Sequence, residues 1–249
     1  MVETSRILIL GATSAIAERW ARLRALRGER LLLVARDPVK LAAMADDLKA
    51  RGAAEVLVAE SDLADADGAT ERLAAFLDRL GGVDIVLLAY GVLGDQADAQ
   101  ADAGHLRGML DTNFTSAAIW SELIAGHLER AGSGTLAVIA SVAGDRGRRS
   151  NYVYGAAKAG LSVYLEGLAH RFAGTPVSVL CVKPGFVDTP MTAHIAKGGP
   201  LWATPDKVAA DIDRAIARRR TVIYTPWFWR VIMLIIRLLP RPIFNRLNV

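Results

Sequence analysis

Ser141, Tyr154 and Lys158 are the residues whose types and spacing can do chemistry. They stand in the runs Ala140-Ser141-Val142-Ala143-Gly144 and Asn151-Tyr152-Val153-Tyr154-Gly155-Ala156-Ala157-Lys158. A tyrosine and a lysine four apart share one face of a helix, where the ammonium is expected to hold the phenol partly ionised. A free phenol titrates near ~10 and is a poor acid or base at neutral pH; a fixed cation brings it into range. The predicted chemistry is proton transfer to or from a substrate oxygen.

Positioning these groups requires a large core. The chain has 249 residues, 52% of them apolar, which suits one α/β domain with a sheet covered on both faces. Val-, Ile- and Leu-rich runs at 6–10, 31–35, 55–59, 84–89, 135–140, 176–182 and 221–225 predict about seven strands. Helix-period stretches at 14–27, 38–51, 66–80, 105–131, 152–172 and 205–220 alternate with them. The expected fold is a doubly wound parallel sheet of Rossmann type, with helices on both faces and a C-terminal amphipathic helix. One catalytic domain is expected over 1–225, followed by a basic tail at 226–249 that packs on it or docks to membrane. Stretches 91–104 and 186–204 read as irregular loops at the carboxyl edge of the sheet, where ligands bind.

Charge and cysteine usage narrow the setting. Residues 214–249 hold eight arginines and no acid, so the overall +4 belongs to the C-terminal end. The one cysteine, Cys181, lies in an apolar run and reads as a small buried side chain, which fits a reducing compartment. Met1 to Arg6 show no basic segment followed by an apolar run, so no secretory signal is expected and the location is read as cytoplasmic. The histidines at 105, 127, 170 and 194 lack ligand-like spacing, so no metal is expected.

After the first strand, Gly11-Ala12-Thr13-Ser14-Ala15-Ile16-Ala17 opens a helix. A glycine turn there lets backbone amides and the helix N-terminus approach a pyrophosphate, although Ala15 and Ala17 stand where glycine is usual. The competing reading is a plain strand-to-helix turn capped by Thr13 or Ser14. At the end of the second strand, Ala35 takes the place of the acid that binds a ribose 2′-hydroxyl, and Arg36 follows, favouring a 2′-phosphate over a solvated turn. Asp62-Leu63 can bond an adenine amino group, or Asp62 can cap a helix beginning near Ala66.

With these residues in order, the chain resembles the short-chain dehydrogenase/reductase family over nearly its whole length. Gly11, Asp62, Asn113, Ser141, the Tyr154-x-x-x-Lys158 pair, Pro184-Gly185 and Thr189 carry the resemblance. It implies that Tyr154 exchanges a proton with a carbonyl oxygen while a nicotinamide exchanges hydride with the carbon. Ser141 would hold that oxygen, and Lys158 would tune the phenol and bind the nicotinamide ribose. Asn113 would position a water linking Lys158 to solvent. Pro184, Gly185, Val187 and Thr189 would contact the carboxamide end, and Thr13, Ser14, Ala15, Ile16, Leu63, Ala89, Tyr90 and Gly91 complete the expected cofactor contacts. NADP(H) is the preferred cofactor in this reading, with NAD(H) the alternative; a homodimer or homotetramer through the helices at 105–131 and 152–172 is implied. Leu88-Ala89-Tyr90-Gly91 departs from the family's Asn-Asn-Ala-Gly, leaving Tyr90 to face the nicotinamide or simply to pack.

A narrower resemblance, to decaprenylphosphoryl 2-keto-pentose reductases, rests on 91–95, 143–149, Met191-Thr192-Ala193-His194 and 239–244. It implies a ketone on a polyprenyl-phosphate-linked sugar. Arg146, Arg148 and Arg149 would then bind a lipid phosphate, or else form a solvated basic loop; His194 belongs to a lid or is a surface residue. On a continuous helix Arg230, Arg237 and Arg241 would share one face of an interfacial tail too short to span a bilayer. The tail can equally cover the fold, and its aliphatic runs argue against nucleic acid. The competing functions are a carbonyl reductase or alcohol dehydrogenase for an unrelated substrate, and a catalytically silent nucleotide-binding adaptor.

Overall fold

The computed structural model describes residues 4–247; residues 1–3 and 248–249 lie outside that range. Half of the Met1 to Arg6 segment read for a secretory signal and the last two tail residues therefore fall outside it. In chain order the first elements are β1 (Arg6–Leu10), α1 (Ala15–Ala25), β2 (Arg30–Ala35), α2 (Pro38–Ala50), β3 (Glu55–Glu60), α3 (Ala69–Leu80) and β4 (Ile85–Leu88). There follow α4 (Gln96–Ala101), α5 (Ala103–Leu110), a π-helical turn (Asp111–Thr115), α6 (Ser116–Ala131), β5 (Gly134–Ile139), a 3-10 turn (Val142–Asp145) and α7 (Tyr152–Arg171). The chain ends with β6 (Val177–Pro184), β7 (Phe186–Val187), β8 (Trp202–Ala203), α8 (Pro205–Ala217), β9 (Val222–Thr225), α9 (Trp229–Leu238) and α10 (Arg241–Phe244).

Seven strands form one parallel sheet in the order β3-β2-β1-β4-β5-β6-β9. Alternation along β1 shows why its strands read as unbroken apolar runs. Ile7 and Ile9 face one core layer with α1, α2 and α8, whereas Leu8 and Leu10 face the other with α3, α6 and α7. All four are essentially inaccessible, and burying each such side chain stabilises the fold by about 1.5–3 kcal/mol relative to exposure. The strand order reverses between β1 and β4, which opens a crevice at the carboxyl ends of these strands.

Three expectations change. The stretch 91–104 contains α4 and the start of α5, because Asp95 accepts the amides of Ala97 and Asp98 and Asp102 accepts that of Gly104. The single helix expected over 105–131 is broken into α5 and α6 by the π-helical turn, whose wider winding carries Asn113 into the interior. The stretch 186–204 holds a small two-stranded pairing, Phe186 with Trp202 and Val187 with Ala203, the two rings stacked at 5.3 Å.

The tail is interrupted as well. Pro240 ends α9, so Arg241 starts a separate short helix and does not continue the face of Arg230 and Arg237. α9 carries two apolar stripes. Trp229 and Met233 are buried against Val142, with Ile232 and Ile236 packed beside them. Val231, Leu234, Ile235 and Leu238, which are 49, 55, 57 and 73% exposed, form the opposite stripe. No helix among the described residues is long and apolar enough to cross a membrane.

Candidate active site

A cavity of about 1160 Å³ occupies the crevice at the strand ends. It exceeds the ~300–1,000 Å³ of a typical small-ligand site, leaving room for a dinucleotide and a second molecule. Ser141, Tyr154 and Lys158 line it together.

Their placement depends on close backbone packing. The 3-10 turn after Ser141 presses on α7: a Cβ on Gly144 would meet the backbone of Lys158 and Ala159 at 2.7 Å, and one on Gly155 would meet the Ala143 carbonyl at 3.0 Å. Ser141 Oγ accepts the Ala143 amide at 3.1 Å, which starts that turn. Lys158, 3% exposed, donates to the Ile139 carbonyl at 3.1 Å, and its Nζ lies 5.9 Å from the centre of the Tyr154 ring. Asp145, at the end of the turn, pairs with Lys183 at 2.7 Å and accepts the Tyr224 hydroxyl at 2.7 Å. This locks the turn to β6 and β9.

The electrostatics differ from the expectation that Lys158 holds the phenol partly ionised. Burial pushes Tyr154 up to about 12, with the Ser141 hydroxyl acting in the opposite sense. Burial likewise draws Lys158 down to about 8. At neutral pH the phenol therefore holds its proton, as a donor must. Desolvation is the largest influence on both groups, and the Lys158 ammonium, 5.9 Å from the centre of the ring, does not offset it at the phenol.

Asn113 does not line the cavity. Its Nδ2 donates to the carbonyls of Val92 and Met109 at 2.8 and 2.9 Å, and its Oδ1 accepts the Val92 amide at 3.1 Å. A Cβ on Gly91 would stand 2.8 Å from that Oδ1 and 3.5 Å from Lys158 Nζ. The Asn113 side chain thus braces the chain at Gly91–Val92 next to Lys158, with both Nδ2 protons donated and one bond accepted by Oδ1.

Gly11, Thr13, Ser14, Ala15 and Ile16 line the far end of the cavity, and Ala35, Arg36, Asp62 and Leu63 complete it. Gly11 is the one glycine of the turn for a geometric reason: its φ is +83°, and a Cβ there would meet Tyr90 at 2.7 Å. Ser14 is the N-cap of α1 yet makes no side-chain capping bond, so a hydroxyl cap is not what this turn provides. Asp62 accepts the Ala64 amide at 3.0 Å, and α3 begins later than expected, at Ala69 behind Gly68, so Asp62 does not cap it. Asp37, the nearest acid after β2, is engaged as the cap of α2 by the Lys40 amide, which holds its carboxyl below the usual range.

Ala89, Tyr90 and Gly91 line the middle of the cavity, and Pro184, Gly185, Val187 and Thr189 its catalytic side. Tyr90 both lines the cavity and packs, its hydroxyl 3.0 Å from Ser116 Oγ; burial raises its pKa well above the ordinary phenol value. Thr192 Oγ1 donates to the Val187 carbonyl at 2.7 Å and fixes the loop that carries Thr189.

The three arginines of the basic loop separate. Arg146 donates to the carbonyls of Ile236 and Leu239 and lies 3.8 Å over the Phe244 ring, so it fastens the tail and is not a phosphate ligand at the mouth. Arg149 is exposed and away from the cavity, whereas Arg148 lines it. His194 is exposed at the cavity edge. The sequence reading missed Gln96, Asn151, Trp229, Ile232 and Ile236, which also line the cavity. The apolar period of α9 was visible, but nothing in it tells which stripe faces a site.

The comparisons decide the family. Residues 5–199 match the short chain dehydrogenase family. The chain belongs to it. This short-chain dehydrogenase is 38% identical to an uncharacterised oxidoreductase of Mycobacterium tuberculosis, over 97% of this chain and 96% of that one. An uncharacterised oxidoreductase of Streptomyces coelicolor is also 38% identical, over 98% and 96% of the two chains. An actinorhodin polyketide ketoreductase solved with NADPH superimposes with a TM-score of 0.79 at 23% identity, over 90% of this chain and 97% of that one. The short-chain dehydrogenase fold and an oxidoreductase activity follow, in a family that binds NAD(P).

Proposed function

We propose that this short-chain dehydrogenase is an NADP(H)-preferring reductase of a ketone on a lipid-linked sugar, working against a membrane surface. The observation that carries the reductase reading is the enclosure of Tyr154, Ser141 and Lys158 at one end of the cavity, with a phenol that keeps its proton at neutral pH.

The opposite end fits a dinucleotide phosphate. The first turn of α1 has no side-chain cap, so its amides are free to meet a pyrophosphate. Arg36 is exposed on the cavity wall with no ion-pair partner among the described residues, and the neighbouring acid is spent on capping α2. That combination favours a 2′-phosphate. Bound NADPH supplies a hydride to the carbonyl carbon. Tyr154 passes its phenolic proton to the carbonyl oxygen, so C=O becomes CH–OH, and the Ser141 hydroxyl holds that oxygen by a hydrogen bond. Lys158, charged below pH about 8, offsets the phenolate that remains until it is reprotonated.

The lipid-linked part of the reading is supported by the tail. The exposed stripe of α9 adjoins Ile232 and Ile236, which line the cavity, and Arg230, Arg237 and Arg241 flank it in a sequence stretch that holds no acid. An apolar stripe with flanking cations suits an anionic leaflet. Exposed Ile119 on α6 and Val163 on α7 support a homodimer or homotetramer through those helices.

The test is NADPH oxidation with polyprenyl-phosphate-linked 2-keto-pentose, comparing wild type, Tyr154→Phe and Arg36→Ala. Tyr154→Phe is expected to lower turnover by about 10²–10⁴-fold while still binding NADPH. Arg36→Ala is expected to lower the NADPH-over-NADH preference by about 10-fold or more. Unchanged turnover in the first, or unchanged preference in the second, overturns the corresponding assignment.

A further inference from the structure

The cavity wall carries buried polar atoms that have no hydrogen-bond partner among the described residues. Arg148 Nε and Nη2 are shielded and make no hydrogen bond, and the guanidinium forms no ion pair among the described residues. Its nearest opposing charge, Asp145, is already held by Lys183 and Tyr224. Burial draws Arg148 below the ordinary guanidinium value, so the charge is held at a disadvantage. Gln96 accepts the Val153 amide through Oε1 at 3.1 Å and leaves Nε2 buried and unpaired. Asn151 precedes α7 without capping it, and its Oδ1 is buried and unpaired.

All three side chains line the cavity that holds Ser141 and Tyr154. Uncompensated polar burial is unfavourable, and these three are linked: the Asn151 amide donates to the Arg148 carbonyl and Gln96 accepts the Val153 amide two residues on, whereas the unpaired Trp229 Nε1 belongs to the tail helix against Gly185. Their chemistry specifies a common partner. Nε and Nη2 form one edge of the guanidinium, the edge that takes a phosphate or carboxylate through two parallel hydrogen bonds. Gln96 adds a third donor, and Asn151 Oδ1 accepts from a hydroxyl.

We propose that Arg148, Gln96 and Asn151 form a substrate-recognition subsite for a hydroxyketone that carries an oxyanion close to its carbonyl. The subsite rests on the reading of the cavity as a ketone-reduction site, and it assigns to Arg148 alone the anion contact that the sequence spreads over three arginines. It selects by leaving the three groups unpaired when a neutral ketone binds, which penalises that complex.

The probes are dihydroxyacetone phosphate against dihydroxyacetone, and hydroxypyruvate against its ethyl ester, titrated into the enzyme–NADP⁺ complex by calorimetry and assayed with NADPH. Wild type is expected to bind one member of the anionic set at least ~10-fold more tightly than its neutral counterpart. Whichever pair shows the preference distinguishes a phosphate from a carboxylate. Arg148→Met is expected to shrink that ratio to near one, and Arg148→Lys, which keeps charge but not the fork, to give an intermediate value. Melting temperature and NADPH fluorescence report whether each variant folds; if Arg148→Met does not, Gln96→Met carries the test through a partial loss of the same ratio. Equal binding of charged and neutral probes by wild type, or an undiminished ratio in folded variants, overturns the subsite. An Arg148-dependent preference without NADPH oxidation on any probe leaves the subsite standing and counts against the reductase reading.

Discussion

Gly185 and Trp229 are in such close apposition that a Cβ on the glycine would stand 1.9 Å from the indole Nε1. Trp229 also meets Phe186 edge-on at 5.5 Å, and it lines the cavity beside Gly185. The tail helix is therefore a wall of the cavity that holds Ser141 and Tyr154. Gly185→Ala is expected to displace α9 and destabilise the protein by about 1–3 kcal/mol. Trp229→Ala would cost stability alone, yet should make Gly185→Ala nearly neutral in the double variant. Urea denaturation of the four proteins checks this; additive losses would show that the two residues do not share the space.

The activity is expected to fall as pH rises through about 8, because Lys158 loses its proton there while Tyr154 keeps its own to about 12. Lysine is active in the charged form, so the loss lies on the alkaline side and no acid limb comes from this pair. The profile of kcat/KM for NADPH, which reports the free enzyme, is the measurement. A flat profile to pH 10 would remove Lys158 from the chemistry.

Asn113→Ala is expected to destabilise by about 1–3 kcal/mol, since it leaves the buried Met109 carbonyl and the part-buried Val92 amide and carbonyl without their partner. Thermal unfolding reads the stability, and NADPH titration reads whether the Gly91 segment still lines the site. A variant as stable as wild type would show that the π-helical turn holds without this amide.

Leu234→Glu with Leu238→Glu, both on the exposed stripe of α9, is expected to abolish sedimentation with phosphatidylglycerol vesicles. Wild type should bind such vesicles and release at high salt, as arginine contacts are screened. These substitutions are preferable to truncating the tail, because Trp229 and Met233 belong to the packed interior. Equal pelleting of wild type and variant would separate the stripe from membranes.

Much of this was legible in the chain because it is local. Apolar runs of strand length separated by helical periods determined the sheet, since β1 and its neighbours bury both faces and leave no alternation to misread. The spacing of Tyr154 and Lys158 fixed their shared helix face, and Gly11 announced a turn that needs positive φ. Asp95 and Asp102 concealed α4 and the start of α5, because capping depends on short-range hydrogen bonds that carry no apolar period.

What only the tertiary structure decided is how distant segments share space and exclude water. The burial that keeps Tyr154 protonated and weakens Lys158 arises from elements far apart in sequence, so spacing alone predicted the opposite direction for the phenol. Arg146, Arg148 and Arg149 look alike in a basic loop, yet one clasps the tail, one lines the cavity with two shielded nitrogens and one is exposed. The sequence determined the sheet, the turn and the reacting groups through local periodicity; desolvation and partner choice, which act through space, decided what those groups can do.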